Sequence, residues 1–234
     1  MSLLKQLFIF PHAGGSEISY VSLQKQLSPF FEVVIISYPG RGRLIAEPHK
    51  NSVEELAQYC TGQIKANLKA RDYFFLGHSF GSLVAFEVLR LLNRQGEKLP
   101  LAAFMSGREA PSTPRKMPLK HLLSDAGLVA YIDSIGGIPA ELIDNADFLS
   151  FFLPIIRNDL KMNEIYEYAE DDKISVPFVL LNGKVDEGVT KEGLANWQNE
   201  TIHPIKQRFL DGGHFYLLTN PEFVDNIIYT YNNI

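Results

Sequence analysis

The sequence lacks the features that mark secreted or membrane-bound proteins. It contains a single cysteine, Cys60, among 234 residues, so no disulfide can form within the chain. No apolar run approaches the roughly 18 residues that a membrane-spanning helix requires. The amino-terminal apolar segment is too short for the hydrophobic region of a signal peptide. We therefore expect a cytoplasmic protein that does not bind membranes, with Cys60 on the apolar face of a helix.

The sequence also lacks an excess of positive charge. Lysine and arginine number 22 against 27 acidic residues, a net charge of −5, which argues against nonspecific binding to nucleic acid. The chain shows no repeat or low-complexity segment, and 46% of its residues are hydrophobic. Length and composition fit one globular domain spanning residues 1–234. We expect a monomer with no metal ion and no cofactor.

Short apolar segments alternate with longer segments whose apolar residues recur at helical spacing. This alternation is typical of parallel strands that are buried on both faces and joined by helices. We predict an α/β fold with a mostly parallel sheet flanked by helices. The predicted strands lie near residues 6–10, 32–37, 73–77, 100–106, 176–182 and 206–210.

One long segment interrupts this alternation. Roughly seventy residues separate the fourth and fifth predicted strands, far more than a simple crossover needs. The segment is apolar at helical spacing, Gly136-Gly137 divides it, and Pro154 is expected to kink or end a helix. We predict a helical lid inserted at approximately residues 112–172. Its apolar side chains either pack on the body of the domain or line a substrate channel.

The pentapeptide Gly77-His78-Ser79-Phe80-Gly81 matches the pattern G-x-S-x-G. The apolar residues before it predict a buried strand, and apolar residues at helical spacing after it predict a helix. In this context the pattern is typical of a nucleophilic serine, because the glycines permit a strand-to-helix turn too tight for side chains. We predict that Ser79 is the catalytic nucleophile.

A serine nucleophile needs a base that takes its proton and a carboxylate that orients the base. In α/β-hydrolases, which carry this serine turn, the acid follows the serine in the chain and the histidine comes last. His214 follows the last predicted strand on a glycine-rich loop, whereas His203 precedes that strand, so we predict His214 as the base. Asp186 follows the preceding strand and is the predicted acid, with Glu187 and Asp211 as alternatives.

The tetrahedral intermediate of acyl transfer carries a negative oxygen that two backbone N–H groups stabilise. One donor belongs to the residue after the nucleophile, here Phe80, and the other to the loop after an early strand. The segment Phe10-Pro11-His12-Ala13-Gly14-Gly15 supplies that loop, and we predict Ala13 as the second donor. We expect His12 to position this oxyanion loop and His78 to pack beside the nucleophile.

Four segments together resemble the stand-alone type II thioesterases of nonribosomal peptide and polyketide synthesis. They are Phe10-Pro11-His12-Ala13-Gly14-Gly15-Ser16, Tyr38-Pro39-Gly40-Arg41-Gly42, Gly77-His78-Ser79-Phe80-Gly81 and Gly213-His214-Phe215-Tyr216-Leu217. The likeness covers nearly the whole chain. It implies the α/β-hydrolase fold and the same catalytic roles for Ser79, Asp186 and His214.

The resemblance further implies a function in antibiotic biosynthesis. Such an enzyme hydrolyses acyl or aminoacyl thioesters from the phosphopantetheine arm of acyl or peptidyl carrier proteins, clearing mis-primed or stalled synthases. The residues alone leave other functions open, because a serine triad is indifferent to the leaving group. These are a carboxylesterase or lipase that acts on oxoesters, an acyltransferase, and a noncatalytic binding protein on a hydrolase scaffold.

A carrier protein is usually acidic, so a negatively charged enzyme needs a local basic surface to bind it. Basic residues follow several predicted strands at the edge where such sheets bind ligands. The predicted docking residues are Arg41, Arg43, Arg108, Arg115 and Lys116. The alternative is an ordinary scatter of solvated charges. Asp159, Asp171 and Asp172 precede the fifth strand, and we expect them to be solvated as well.

Overall fold

The computed structural model describes residues 4–69, 72–114 and 118–233. Within this part of the chain, six strands form one sheet in the order β2-β1-β3-β4-β5-β6, and every neighbouring pair is parallel. The strands are β1 (Gln6–Phe10), β2 (Glu32–Ile35), β3 (Tyr73–His78), β4 (Ala102–Ser106), β5 (Phe178–Gly183) and β6 (Lys206–Leu210). The predicted α/β fold with its parallel sheet is confirmed, and each strand lies where the sequence places it.

Helices connect the strands and cover both faces of the sheet. The α-helices are α1 (Val21–Leu27), α2 (Val53–Asn67), α3 (Phe80–Arg94), α4 (Asp125–Ser134), α5 (Ala146–Ile165), α6 (Lys191–Ala195), α7 (Tyr216–Thr219) and α8 (Glu222–Asn232). Short 3₁₀ turns lie at Glu17–Tyr20, Gly42–Leu44, Lys120–Leu122, Ala140–Leu142 and Asn196–Asn199. None of the helices in the described ranges is both long and apolar enough to cross a membrane.

The two faces of the sheet have separate apolar cores. Successive side chains of a strand point to opposite faces, so Phe8 and Phe10 of β1 pack with α2 and α3. Leu7 and Ile9 pack instead with α1 and α8. Both faces are buried, which explains why the strands are continuously apolar in the sequence. Cys60 of α2 is buried in the first core, as predicted.

The strand order brings the loops of interest to one edge of the sheet. The chain adds β2 on one side of β1 and β3 on the other, which opens a crevice at the carboxyl ends of β1 and β3. Phe10 at the end of β1 pairs with Gly77 near the end of β3, so the following loops start side by side. Gly183 of β5 pairs in the same way with Leu210 of β6.

The insertion between β4 and β5 contains α4 and α5. Leu128 and Ile132 of α4 pack against Ile156 and Leu160 of α5 in a third apolar cluster. Ala13, in the loop after β1, packs against the same cluster. The insertion therefore lies over the carboxyl edge of the sheet, where the predicted catalytic residues are found.

Candidate active site

Ser79 forms the turn between β3 and α3. Its backbone has φ of 54° and ψ of −118°, and it is the only non-glycine residue with positive φ in the described ranges. Such a conformation costs on the order of 1–3 kcal/mol and persists only where neighbouring structure enforces it. The Ser79 N–H donates to the Ser106 carbonyl oxygen at 2.7 Å, which anchors the turn to β4. The strained turn holds the serine at the carboxyl edge of the sheet, where it lines a cavity.

The two glycines of the pentapeptide are required by the close packing of this turn. A Cβ atom on Gly81 would lie 2.0 Å from the carbonyl oxygen of Phe10. A Cβ atom on Gly77 would lie 2.6 Å from the carbonyl oxygen of Gly81. Both obstacles are backbone atoms, so a side chain at either position would displace β1 or α3. The same close approach brings the oxyanion loop next to Ser79.

His214 and Asp186 lie on the loops after β6 and β5. His214 Nδ1 is 2.8 Å from Asp186 Oδ2, and the Asp186 side chain is only 2% exposed. The second carboxylate oxygen of Asp186 accepts the Gly188 N–H at 2.8 Å. A carboxylate at Nδ1 holds the proton on that nitrogen and leaves Nε2 to accept another. His214 and Ser79 line the same cavity.

The alternative acids and base lie elsewhere. Asp211 is exposed and pairs with Lys184 at 2.6 Å. Glu187 is exposed to solvent. His203 precedes β6, and its Nε2 lies 3.5 Å from the hydroxyl oxygen of Ser175. Of the candidate carboxylates, it is therefore Asp186 that contacts His214.

The oxyanion loop presents one backbone N–H without an acceptor in the described part of the chain. The His12 N–H donates to a buried tyrosine hydroxyl at 3.1 Å, and the Gly15 N–H donates to the His12 carbonyl oxygen at 2.9 Å. The Gly14 N–H donates to Asp159 Oδ2 at 2.8 Å. The remaining donor of this turn is the N–H of Ala13, the predicted one.

A cavity of about 40 Å³ lies against Ser79. It is lined by His12, Ala13, Ser79, Tyr131, Ile132, Ile135, Gly137, Ile156, Leu160, His214 and Phe215. Phe80, the other predicted oxyanion donor, is the first residue of α3, so its N–H has no acceptor within the helix. The polar groups of the site thus face an apolar wall from α4 and α5. The space holds on the order of three water molecules.

Two other histidines support the site without carrying charge. Burial lowers the pKa of His12 to about 4 and holds the pKa of His78 well below its usual range. The ring centroids of His78 and His214 are 5.0 Å apart, so a charge on His78 would oppose protonation of His214. His78 Nδ1 lies 2.9 Å from the Ser106 hydroxyl, which is 2.6 Å from the Tyr216 hydroxyl. The neutral ring is therefore held in place behind His214.

Comparison with known proteins agrees with this geometry. Residues 5–234 match the family model described as "Thioesterase domain". The chain belongs to the thioesterase family. This enzyme is accordingly a hydrolase that acts on thioesters.

Relatives of this thioesterase come from biosynthetic pathways. Over 212 residues it is 34% identical to "Thioesterase PikA5" of Streptomyces venezuelae, covering 91% of this chain and 75% of PikA5. It is 30% identical to "Gramicidin S biosynthesis protein GrsT" of Aneurinibacillus migulanus, covering 91% and 82% of the two chains. The solved structure of the type II thioesterase BorB from the borrelidin biosynthetic cluster superposes with a TM-score of 0.88 at 32% identity, covering 99% and 94%. The predicted resemblance to type II thioesterases and the predicted fold are confirmed.

Arg41 of this thioesterase does not lie on a docking surface. The residue is 3% exposed, and its guanidinium binds both carboxylate oxygens of Asp159, with Nη2 2.6 Å from Oδ1. This burial contradicts the prediction that Arg41 is a surface residue available for docking. The expectation that Asp159 is solvated is also wrong, because this residue of α5 is completely buried.

The other predicted docking residues have different environments. Arg108 is partly buried, its Nη1 donates to Asn163 Oδ1 at 2.5 Å, and burial lowers its pKa to about 10. The Arg43 side chain is 62% exposed, with Nε 3.2 Å from a carboxylate oxygen of Glu17. Arg115 and Lys116 lie outside the described residues. The docking hypothesis therefore rests on Arg43 and on these two.

Asp159 is the residue of the thioesterase site that sequence reasoning missed. It lies on α5, three residues after Ile156 and directly before Leu160, on a helix face that is otherwise apolar. An acidic side chain in such a face must find a partner when the face is buried. That position was the available signal, although it does not identify Arg41 and Gly14 as the partners.

Proposed function

We propose that this thioesterase hydrolyses acyl or aminoacyl thioesters from the phosphopantetheine arm of acyl or peptidyl carrier proteins. In that role it edits mis-primed or stalled synthases of nonribosomal peptide and polyketide synthesis. The observation that carries the proposal is the position of His214, 2.8 Å from Asp186 and on the wall of the cavity that Ser79 lines. The names of PikA5, GrsT and BorB support the pathway class.

In the first half-reaction, Ser79 Oγ attacks the thioester carbonyl carbon while His214 Nε2 takes the hydroxyl proton. Asp186 at Nδ1 stabilises the resulting imidazolium. The carbonyl oxygen becomes an anion and receives the N–H groups of Ala13 and Phe80. Collapse of this intermediate breaks the carbon–sulfur bond, and His214 returns the proton to the departing sulfur.

In the second half-reaction, water attacks the acyl-Ser79 ester while His214 again takes a proton. Collapse releases the free acid and restores the serine hydroxyl. A thiol has a pKa near 8.5, so the leaving sulfur needs less protonation than an alkoxide would. The same residues can cleave an oxoester, but departure of its alkoxide then depends more strongly on the proton that His214 donates.

We further propose that residues 112–172 act as a lid within a single domain. The helices α4 and α5 supply the apolar wall of a cavity of about 40 Å³. This wall lies against Ser79, on the side from which a phosphopantetheine arm would approach. Substrate entry therefore requires α4, α5 or both to move away from Ser79.

The direct test is intact-protein mass spectrometry on a panel of acyl-loaded carrier proteins, treated with the wild type or with Ser79→Ala. We expect the wild type to convert acyl carrier to free-thiol carrier, and Ser79→Ala to leave it loaded. Equal loss of the acyl group with both proteins would remove Ser79 from the mechanism. The matched control is Ser22→Ala on α1, which should behave as the wild type.

A second arm distinguishes the substrate class. The wild type is compared on a carrier-bound acyl thioester and on a p-nitrophenyl ester with the same acyl group. A higher kcat/KM on the carrier thioester supports the proposal, whereas a preference for the simple ester would favour a general carboxylesterase. Failure of a fluorophosphonate probe to label Ser79 would instead favour a noncatalytic protein.

A further inference from the structure

The oxyanion loop depends on the insertion for one of its hydrogen bonds. Asp159 of α5 accepts the Gly14 N–H at 2.8 Å, across 145 positions of the sequence. Gly14 has φ of 75°, in the left-handed region, and Gly15 follows it. Two consecutive glycines give this turn wide conformational freedom. The hydrogen bond from Gly14 to Asp159 restricts that freedom from outside the loop.

The carboxylate of Asp159 is itself held in a fixed plane. Arg41 binds both oxygens through its planar guanidinium, and one of those oxygens is the atom that also accepts the Gly14 N–H. Such two-point binding fixes orientation as well as distance. Burial opposes the charge on Arg41, but Asp159 outweighs that effect and raises the arginine pKa. The Arg41 guanidinium thus stays charged inside the protein.

Neither side chain of this pair is among those that line the cavity beside Ser79. The effect on chemistry must therefore pass through the oxyanion loop. The peptide group between Ala13 and Gly14 cannot rotate without turning the Gly14 N–H away from Asp159. The Ala13 N–H belongs to the preceding peptide group, whose His12 carbonyl oxygen accepts the Gly15 N–H. The two peptide groups are joined through the Cα atom of Ala13, so holding Gly14 narrows the directions open to the Ala13 N–H.

We propose that Asp159 and Arg41 are positioning residues that orient the Ala13 N–H toward the developing oxyanion. The inference rests on the proposed function, since it concerns the oxyanion hole, the pair of N–H donors of Ala13 and Phe80 that stabilises the intermediate formed on Ser79. It also means that α5 of the insertion, and not the sheet alone, completes the catalytic geometry. A purely structural ion pair would affect the free energy of unfolding and leave the turnover of folded enzyme unchanged.

The test compares two double variants that both lack the ion pair. Arg41→Met with Asp159→Leu removes the charges and the acceptor for Gly14, whereas Arg41→Met with Asp159→Asn keeps an amide oxygen that can accept it. Replacing both members of a buried ion pair by apolar residues is often neutral for stability. Each protein is assayed on a carrier-bound thioester and on a p-nitrophenyl ester, with thermal unfolding measured alongside.

We expect the leucine variant to lose about 10- to 100-fold in kcat with KM changed less than about threefold, because a misdirected donor costs part of what a deleted one does. The asparagine variant should recover most of that loss. Affinity for an alkylboronic acid, whose tetrahedral adduct occupies the hole, should fall in parallel with kcat. Equal kcat in the two variants, or a boronic acid affinity that does not follow kcat, would overturn the proposal.

Two further variants keep the test decisive. Arg41→Lys retains a buried positive charge but loses the planar fork, so it should fold and still show reduced kcat and boronic acid affinity; wild-type kcat would contradict the inference. Tyr166→Phe removes a 2.6 Å hydrogen bond between the end of α5 and Glu87, neither of which lines the cavity, and should leave kcat within about twofold. If the wild type hydrolyses neither substrate, the proposed function fails; if it does and the variants match it, the positioning role alone fails.

Discussion

At the scale of single residues, the chemistry depends on which carboxylate faces His214. Replacing Asp186 by asparagine would present an N–H to His214 Nδ1 and so favour the tautomer that cannot accept the serine proton. We expect Asp186→Asn to lower kcat by about 10³- to 10⁴-fold with little change in KM. Asp211→Asn and Glu187→Gln are matched controls on neighbouring loops and should stay within about twofold. The measurement is steady-state kinetics of the three variants on one acyl thioester. An equal loss of kcat in either control would assign the role of the acid to that residue instead.

The buried His12 makes a residue-scale prediction about stability. Its pKa is about 4 in the folded protein, because burial opposes the charge, and the unperturbed value is 6.5. Below pH 6.5 the unfolded chain therefore binds a proton that folded His12 does not, so acid favours unfolding. Between pH 7 and pH 4 this residue removes about 3 kcal/mol from the free energy of unfolding.

The measurement is urea unfolding of wild type and His12→Gln at pH 7, 5.5 and 4. The glutamine variant cannot titrate, so its stability should fall less steeply with acid by about 3 kcal/mol over this range. His78, whose pKa is lowered chiefly by burial, is present in both proteins, and loss of His12 removes only a smaller cause of that lowering. Parallel pH dependences for the two proteins would show that His12 is not buried in a neutral form.

Residues predicted from local context lie at the carboxyl edge of the sheet, whereas the environment of Arg41, which depends on a distant partner, differs from the prediction. Ser79 follows from a strand, a glycine-bounded turn and a helix, all contiguous in the chain. His214 follows from its place after the last strand. Arg41 also follows a strand, and a basic residue at that edge of the sheet was predicted to bind an acidic partner. Its partner Asp159 is 118 positions away, and only the folded insertion brings the two together.

At the scale of elements, periodicity predicted the strands better than the details of the insertion. Strands buried on both faces are short and continuously apolar, so their positions are visible in the sequence. Pro154 was expected to kink or end a helix; α5 does not end there but continues from Ala146 to Ile165. Proline removes one helical hydrogen bond, and the burial of Leu153, Ile155 and Ile156 around it offsets that loss.

The position of α4 gives a prediction about acyl-chain length. Tyr131, Ile132 and Ile135 of this region line the cavity beside Ser79. Ile135→Ala should enlarge the cavity and raise the kcat/KM ratio of octanoyl to acetyl substrates by about tenfold, since each methylene in an apolar pocket is worth roughly that much. Leu122→Ala, in the same insertion but 71% exposed, is the matched control and should leave the ratio unchanged. An unchanged ratio in Ile135→Ala would place the acyl group elsewhere.

At the scale of the whole molecule, the site is assembled from two separately organised parts. The parallel sheet brings the loops that carry Ser79, Asp186 and His214 to one edge. The insertion covers that edge and contributes Asp159 to the oxyanion loop. An opening movement of α5 would therefore admit substrate and release the loop at once. Under the two proposals above, the same helix would couple catalytic geometry to substrate access.

The net charge of the whole chain predicts how salt affects the encounter with a carrier protein. The enzyme carries a charge of −5, and Arg41 is removed from the predicted docking surface by its ion pair. An acidic carrier protein is then repelled at long range, and salt weakens that repulsion, since the Debye length shortens from about 20 Å to about 7 Å between roughly 20 and 200 mM salt.

We therefore expect kcat/KM on an acyl carrier protein to rise about two- to fivefold over this range of salt. A neutral thioester of N-acetylcysteamine serves as the control, because it experiences no such field and its kcat/KM should stay constant. A fall in kcat/KM with salt would instead show that a local basic surface dominates. In that case Arg43→Glu should abolish the salt dependence, and the surface would include Arg43 together with Arg115 and Lys116.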